Sequence, residues 1–407
     1  DLLGTSFSFS TKSNGTDPLR KGTIQNRKDE KSMRIVSVEI IETKIPLKHP
    51  YRLSKRYGDV AYTHPTVVKV TTDNGLFGWG ETDAWVGFTS ESPESVAVVL
   101  KNNIAPSVLG EEATNVLKIH DTMNFFMREN HMAKGTIDMA CYDLLGKAAG
   151  MPVYQILGGN LYDSLPIMGA SGGETCEEAA VAALEVKACG YHSLMVKVGR
   201  DPVHDANRVL AVREATGPDY PLILDANQGW DLQSAKKFIS IAREAKPVLF
   251  EQALVAEDIE GMAALRRSCD VPISVDESLT SFRHAQDAIR LDAADVFSIK
   301  VCKNGGIRES LRIIELARNN GINILFNSML EEGITQAASL NIALTTSNLF
   351  PFGHAYFSPL RLEADITTYS SLIKGGRVYP PTKPGLGIDV LEDVLDKYVT
   401  SKTIVRK

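Results

Sequence analysis

Five apolar runs in the middle of the chain each end on a side chain able to do chemistry: SLMVK on Lys197, PLILD on Asp225, PVLFE on Glu251, PISVD on Asp276 and VFSIK on Lys300. Successive members lie 28, 26, 25 and 24 residues apart, the length of one strand, one helix and two short loops. A repeating βα unit with a functional residue at each strand's C-terminal tip is the pattern of the active face of a (β/α) barrel. In chain order the set reads lysine, three carboxylates, lysine. That order suggests a cation held between two proton carriers.

Asp225, Glu251 and Asp276 fall on consecutive strands, numbered three, four and five. Three unneutralised carboxylates in a partly desolvated barrel mouth repel strongly, so a divalent cation is the economical explanation. All-oxygen ligation favours Mg²⁺, with Mn²⁺ as the alternative, over Zn²⁺. Asn227, two residues past the first ligand, is expected to support the ligands from behind. Helix N-capping explains Asp225 or Asp276 taken singly. It does not explain Glu251, a poor cap, or the regularity over three strands.

Lys197 on strand two and Lys300 on strand six are four strands apart in a ring of eight, so they face each other across the mouth. A strand-end lysine taken alone is most often a snorkelling surface residue. Two opposed lysines around an acidic trio are placed to remove a proton from one face of a carbon acid and return it to the other. Acting as a base near neutral pH requires a fall from about 10.4 toward roughly 7–8, which burial and neighbouring positive charge produce. Lys303, three residues after Lys300, is a candidate source of that charge.

The elements that must position these residues can be read in turn. Residues 1–32 are polar, without the apolar core of a secretory signal, and are expected to be a disordered or non-native extension. Residues 33–160 read as an α+β domain: strands, a hairpin turn at Asn74-Gly75, then helices, the last stopped by Gly150 and Pro152. The barrel is expected over 161–360, from LPIMGAS (165–171) to a less distinct eighth strand, FGHAYFS (352–358). Residues 361–407 are expected to return to the first domain.

With 407 residues, a hydrophobic fraction of 43%, a charged fraction of 23% and a net charge of −6, the chain reads as a soluble enzyme without nucleic-acid partners. No apolar stretch reaches the roughly 18 residues a membrane span needs. Five scattered cysteines without CxxC spacing read as reduced thiols of a cytoplasmic protein. A homo-oligomer acting on a small-molecule carboxylate is expected.

Taken together, the motifs resemble the enolase superfamily and, within it, the muconate lactonizing enzyme subgroup. They are GWGET (78–82) and IDMACYDLLGKAAGMPVYQILGG (137–159) in the first domain. In the barrel they are VKVG (196–199), DANQGW (225–230), FEQ (250–252), VDES (275–278), IKVCKNGG (299–306) and SMLEEGI (328–334). The resemblance spans residues 33 to about 395. It implies an α/β fold, a (β/α)₇β barrel with an N-terminal α+β capping domain completed by the C-terminal segment. It also implies Mg²⁺ on Asp225, Glu251 and Asp276, and acid/base roles for Lys197 and Lys300. Two cap segments, around 51–60 and 83–90, would close over the mouth, making Arg52, Lys55, Arg56, Tyr57, Trp85 and Phe88 candidate substrate contacts. Glu277, Asn327 and Ser328, within or beside the matching segments, are expected near the metal or the substrate.

Departures from the subgroup are informative. Its usual Lys-x-Lys on strand two reads Met195-Val196-Lys197 here, so an accessory charge is lost while the usual catalyst is kept. Strand seven, ILFNSMLEE, lacks the histidine base of mandelate racemase and the sugar-acid dehydratases. The strand-eight tip lacks the Asp-x-Asp of dipeptide epimerases; Tyr356 or Phe357 offers an aromatic face instead, although a core aromatic is the commoner reading. Glu331 matches an acidic position of the subgroup that orients the pocket.

A Mg²⁺-dependent racemase or epimerase acting beside a carboxylate, on an amino-acid derivative or related acid, is the first expectation. A muconate-type cycloisomerase comes second and a β-eliminating dehydratase third, because one such site supports all three. Outside this chemistry stand a Schiff-base aldolase using Lys300 and a non-catalytic metal-binding barrel.

Overall fold

The structure, a computed structural model, describes residues 32–407; residues 1–31, and with them the expected polar extension, lie outside the described residues. The first strands are β1 (Ile35–Thr43), the ribbon β2 (Ile45–Arg52) with β3 (Asp59–Thr63), and β4 (Thr66–Thr72) with β5 (Phe77–Thr82). The turn between β4 and β5 falls at Asn74-Gly75: Gly75 has φ 87°, and the Asn74 side chain accepts from Leu76 N at 3.0 Å. Helices α1 (Pro93–Val99), α2 (Val116–Phe126) and α3 (His131–Ala149) follow. Helix α3 crosses β5 so closely that a Cβ on Gly78 would lie 2.1 Å from Ala140 O, and one on Gly80 1.8 Å from Thr136 O. The alternating glycines of GWGET therefore exist to admit a helix backbone. The helix ends at Gly150 in a left-handed cap, φ 67°.

The barrel wall is one parallel sheet of seven strands in chain order: β6 (Met168–Ser171), β7 (Ser193–Lys197), β8 (Leu222–Asp225), β9 (Leu249–Glu251), β10 (Ile273–Val275), β11 (Val296–Ile299) and β12 (Asn323–Phe326). Their near-continuous burial explains why the sequence shows apolar runs rather than alternation. Between and after the strands run α4 (Cys176–Ala188), α5 (Pro202–Thr216), α6 (Leu232–Ala242), α7 (Ile259–Arg266), α8 (Phe282–Arg290), α9 (Gly306–Asn319) and α10 (Gly333–Ala343).

Two expected strands differ. The run 165–171 divides at Ile167: Leu165–Pro166 pairs antiparallel with Arg377–Val378, and only Met168–Ser171 enters the barrel wall. The eighth strand is not a regular strand. The segment around His354 closes the ring with a few bonds, Met168 N to His354 O at 2.9 Å and Ala355 N to Phe326 O at 3.0 Å. Gly353, at φ 99°, leads the chain into this segment, and past Ala355 Tyr356 N turns back onto His354 O at 3.0 Å. At the C-terminus, β13 (Val399–Arg406) pairs antiparallel with β1, giving the sheet order β13-β1-β4-β5.

Cap and barrel are joined by buried carboxylates placed at helix starts. Glu81, in β5, accepts from Glu332 N at 2.6 Å and Thr335 N at 2.9 Å at the start of α10. Asp138, in α3, accepts from Ile307 N in the first turn of α9. A carboxyl oxygen at each N-terminus satisfies backbone donors the helix cannot use. All five cysteines are free, and among the described residues no helix is long and apolar enough to cross a membrane.

Candidate active site

Strand register brings the functional tips level. Lys197 is opposite Asp225, and Asp225 is opposite Glu251; Asp276 and Lys300 each follow directly on the last residue of their strand. The capping alternative fails for both aspartates, since α6 is capped by Asp231 and α8 by Ser281. The backbone leaves its ordinary range at these tips: Asn227, Gln228 and Gln252 have φ of 40°, 61° and 34°. Non-glycine residues in the left-handed region at three points around the ligands mark a place where geometry outranks local comfort.

Lys197 Nζ pairs with Asp225 Oδ2 and donates to Asn227 Oδ1 at 3.1 Å. Lys300 Nζ lies 2.6 Å from Asp276 Oδ2 and 4.0 Å from the centre of the Phe88 ring. Lys303 Nζ holds the other oxygen, Asp276 Oδ1, at 2.7 Å. Burial on its own raises Asp276, but Lys300 and Lys303 hold it down at about 2. Glu251 is pushed well above the usual carboxylate range by burial and by Asp225 and Asp276. Glu277 is pushed up to about 8, again by burial first and then by Asp276 and Asp225.

The lysines depart from the expected lowering. Burial pulls Lys197 down, but Asp225, Tyr51 and Glu251 outweigh it and hold it above the ordinary value. Lys300 is likewise held above that value by Asp276 and Glu277 against burial. Lys303 is the lysine that falls, through burial opposed by Asp276 and reinforced by Lys300.

The donor set fits a hard divalent cation. Asp225, Glu251 and Asp276 supply only oxygen, are fully buried, and leave Glu251 Oε2 without a hydrogen-bond partner. Among the described residues these groups do not already converge on a cation-sized position; Lys197 pairs with Asp225, and Lys300 and Lys303 pair with Asp276. A cation there would cancel the attraction that raises the lysines, and the burial already in place would then lower both.

Lys197 and Lys300 line one cavity, together with Trp85, Phe88, Met195, Asn227, Asn327, Ser328 and Phe357. Asn327 Nδ2 donates to Glu251 Oε1 at 2.8 Å, and Asn227 Nδ2 donates to Glu277 Oε1 at 3.3 Å. Several expected contacts are not on this wall. Arg52 turns outward to Asp59 and Glu174, drawn by two exposed carboxylates. Lys55 is exposed, and Arg56 borders a separate depression beside Glu277. Tyr57 uses its hydroxyl on Gln228 and Gly87, tying the two cap segments to the barrel. Tyr356 is a core aromatic bonded to Ser339, so only Phe357 offers a face to the cavity. Glu331 is buried, accepting from Ser328 Oγ at 3.0 Å and Gln336 Nε2 at 2.6 Å; it shapes the loop after β12 rather than the cavity wall.

Three participants were not singled out from sequence. Gln252 accepts from Asp276 N at 2.8 Å and Ser278 N at 3.2 Å, locking one ligand strand to the next; its place directly after Glu251 was the available signal. Tyr51 and Arg361 also line the cavity, and neither lies in the βα period.

Comparison with known proteins bears on this arrangement. Residues 35–158 match the N-terminal domain of the mandelate racemase/muconate lactonizing enzyme family, and residues 177–394 match the enolase C-terminal domain-like family. The chain belongs to the enolase superfamily. Within it, the muconate lactonizing enzyme-type subgroup contains the similar proteins. N-succinyl-L-Arg/Lys racemase of Bacillus cereus is 33% identical over 376 residues, 92% of this chain and 100% of that protein; its crystal structure superposes with a TM-score of 0.88. Muconate cycloisomerase 1 of Acinetobacter baylyi is 31% identical, covering 89% of this chain and 98% of its own. The dipeptide epimerase of Enterococcus faecalis, solved with Mg and L-Leu-L-Tyr, is 29% identical with a TM-score of 0.82, covering 88% of this chain and 100% of its own. This enolase-superfamily member is an isomerase, as these relatives are.

Proposed function

We propose that this isomerase takes the proton from the carbon beside a substrate carboxylate and returns it to the opposite face, as a racemase or epimerase of an amino-acid derivative or a related acid. The observation that carries this reading is the pair Lys197 and Lys300, four positions apart in the closed ring and lining one cavity. Mg²⁺ on Asp225, Glu251 and Asp276, with Mn²⁺ as a substitute, would supply charge neutralisation for the enolate. Lys197 and Lys300 each hold or accept the proton at Nζ. Asn227 and Asn327 fix the carboxylates, and the Trp85 and Phe88 rings help exclude water from the cavity. In D₂O with Mg²⁺, an accepted acid should gain α-deuterium by NMR in both enantiomers. If a broad set of N-acyl amino acids and dipeptides shows no exchange under those conditions, the reading is wrong.

Cycloisomerisation is the second reading, favoured by the similarity to muconate cycloisomerase 1. It needs only one lysine to deliver a proton. β-Elimination is the third reading: one lysine would take the α-proton and the other would protonate the leaving group, so the same pair serves it. Residues 33–160 would then act as cap, 161–360 as barrel and 361–407 as the returning segment. Cytoplasmic location fits five unpaired cysteines. A homo-oligomer is expected by light scattering, and a monomer at micromolar concentration would remove that part.

A further inference from the structure

Lys197 ends β7, and the chain leaves the sheet directly after it. Val198 N still bonds across to Asp225 O at 2.9 Å, and the next residue, Gly199, takes φ 104°. This exit is held from behind, by two side chains one turn apart on α5. Asp205 Oδ2 accepts from Gly199 N at 2.9 Å and from Arg200 N at 2.7 Å. Its other oxygen accepts from Arg208 Nη1 at 2.8 Å. The fork of Arg208 also donates to the Lys197 carbonyl oxygen, from Nη1 at 3.4 Å and from Nη2 at 3.3 Å. Both side chains are buried, and neither lines the reaction cavity. A buried ion pair is weak evidence for stability, because desolvation offsets much of its attraction. These bonds to backbone do something more specific. They fix the direction in which the strand tip leaves the sheet, and with it the place of Lys197 Nζ.

The opposed tip is held by other means. Lys300 N donates to Asn304 Oδ1 at 3.0 Å, and Asn304 Nδ2 donates to Leu279 O at 2.7 Å. Those partners belong to the loops after β11 and β10, on the far side of the ring from α5.

We propose that Asp205 and Arg208 are positioning residues for one proton carrier alone: they set Lys197, and through it transfer at one face of the substrate carbon, and leave the Lys300 face untouched. The assignment of a face to each lysine rests on the proton-transfer reading above.

Two variants test this. Arg208→Lys keeps the charge but loses the planar fork. Asp205→Asn with Arg208→Met removes both charges, so that neither is left buried without its partner. In D₂O with Mg²⁺, α-deuteration of an accepted acid is timed by NMR for each enantiomer separately, and Lys197→Ala identifies the enantiomer that Lys197 deprotonates. Exchange of that enantiomer should slow by about 10- to 100-fold in the double variant, the usual cost of a misplaced reacting group, and by less in Arg208→Lys. Exchange of the other enantiomer should stay close to that of the wild type. Equal slowing of both enantiomers would reduce the pair to a structural role, and unchanged rates would leave it none; either result overturns the proposal. If no acid exchanges, or if Lys197→Ala spares both enantiomers, the proton-transfer reading falls and a second measurement decides the placement of Lys197. Brief labelling of the Mg²⁺-loaded protein with acetic anhydride, read by mass spectrometry, should give a higher ratio of Lys197 to Lys300 acetylation in the double variant than in the wild type. An unchanged ratio there overturns the proposal on its own.

Discussion

Lys197 and Lys300 each contact a different carboxylate of the ligand trio, so each can be removed without dismantling the other's surroundings. Lys197→Ala and Lys300→Ala are each expected to lower turnover on the order of 10²–10⁴-fold, the usual worth of a positioned proton carrier. Racemisation predicts more: each variant should still exchange the α-proton of one enantiomer and leave the other untouched. Two-sided exchange in either variant would take that lysine out of the mechanism. These residues were legible in the sequence because a period of some 24 to 28 residues repeats a chemical type at the same point of each unit. Arg361 and Tyr51 were not, since they stand outside the period and meet the cavity only through tertiary packing. Tyr356 misled for the opposite reason. It sits near the expected tip, but its ring is buried in the core, with its hydroxyl on Ser339.

Among elements, β5 and α3 decide whether the cap presents its closing segment correctly. The β5 glycines let the helix backbone lie directly on the strand, and Glu81, in the same strand, reaches across to the start of α10. Gly80→Ala would put a methyl group 1.8 Å from Thr136 O, a backbone atom inside a helix that cannot turn aside. We expect a loss of roughly 1–3 kcal/mol or more in stability, read as a lower denaturation midpoint, with activity falling as the cap shifts. A midpoint equal to the wild type's would mean that helix and strand are less tightly apposed than described. The GWGET run was legible as a motif, whereas its cause was not, because the partner that demands the glycines lies more than fifty residues further on. The barrel's seven strands were legible for a simpler reason, being apolar on both faces. The eighth position is filled by a turn whose few bonds to β6 and β12 leave no periodic trace.

The molecule as a whole buries more acid than its pairing neutralises, and this sets how its stability responds to pH. Burial raises Glu81 to about 8 and Asp83 to about 7, from ordinary values of 4.5 and 3.8. Both lie away from the three ligand carboxylates, so the argument does not depend on the cation. Protons held by the folded chain at neutral pH are released by the unfolded chain, so the folded state binds more of them between those limits. Stability must then fall as pH rises through that window. The contribution is fully present below about pH 4 and gone above about pH 8. Chemical denaturation of chelator-treated protein from pH 5 to pH 9 should show a midpoint that drops and then levels. Glu81→Gln together with Asp83→Asn should flatten the drop. Glu277, raised in the same direction, keeps a residual slope in that double variant, and Mg²⁺ should shrink the residue by holding its acidic neighbours ionised and compensated. A midpoint that climbs with pH across this range would mean these acids are ionised in the folded chain, and that the cap is held to the barrel by charged rather than neutral carboxyl groups.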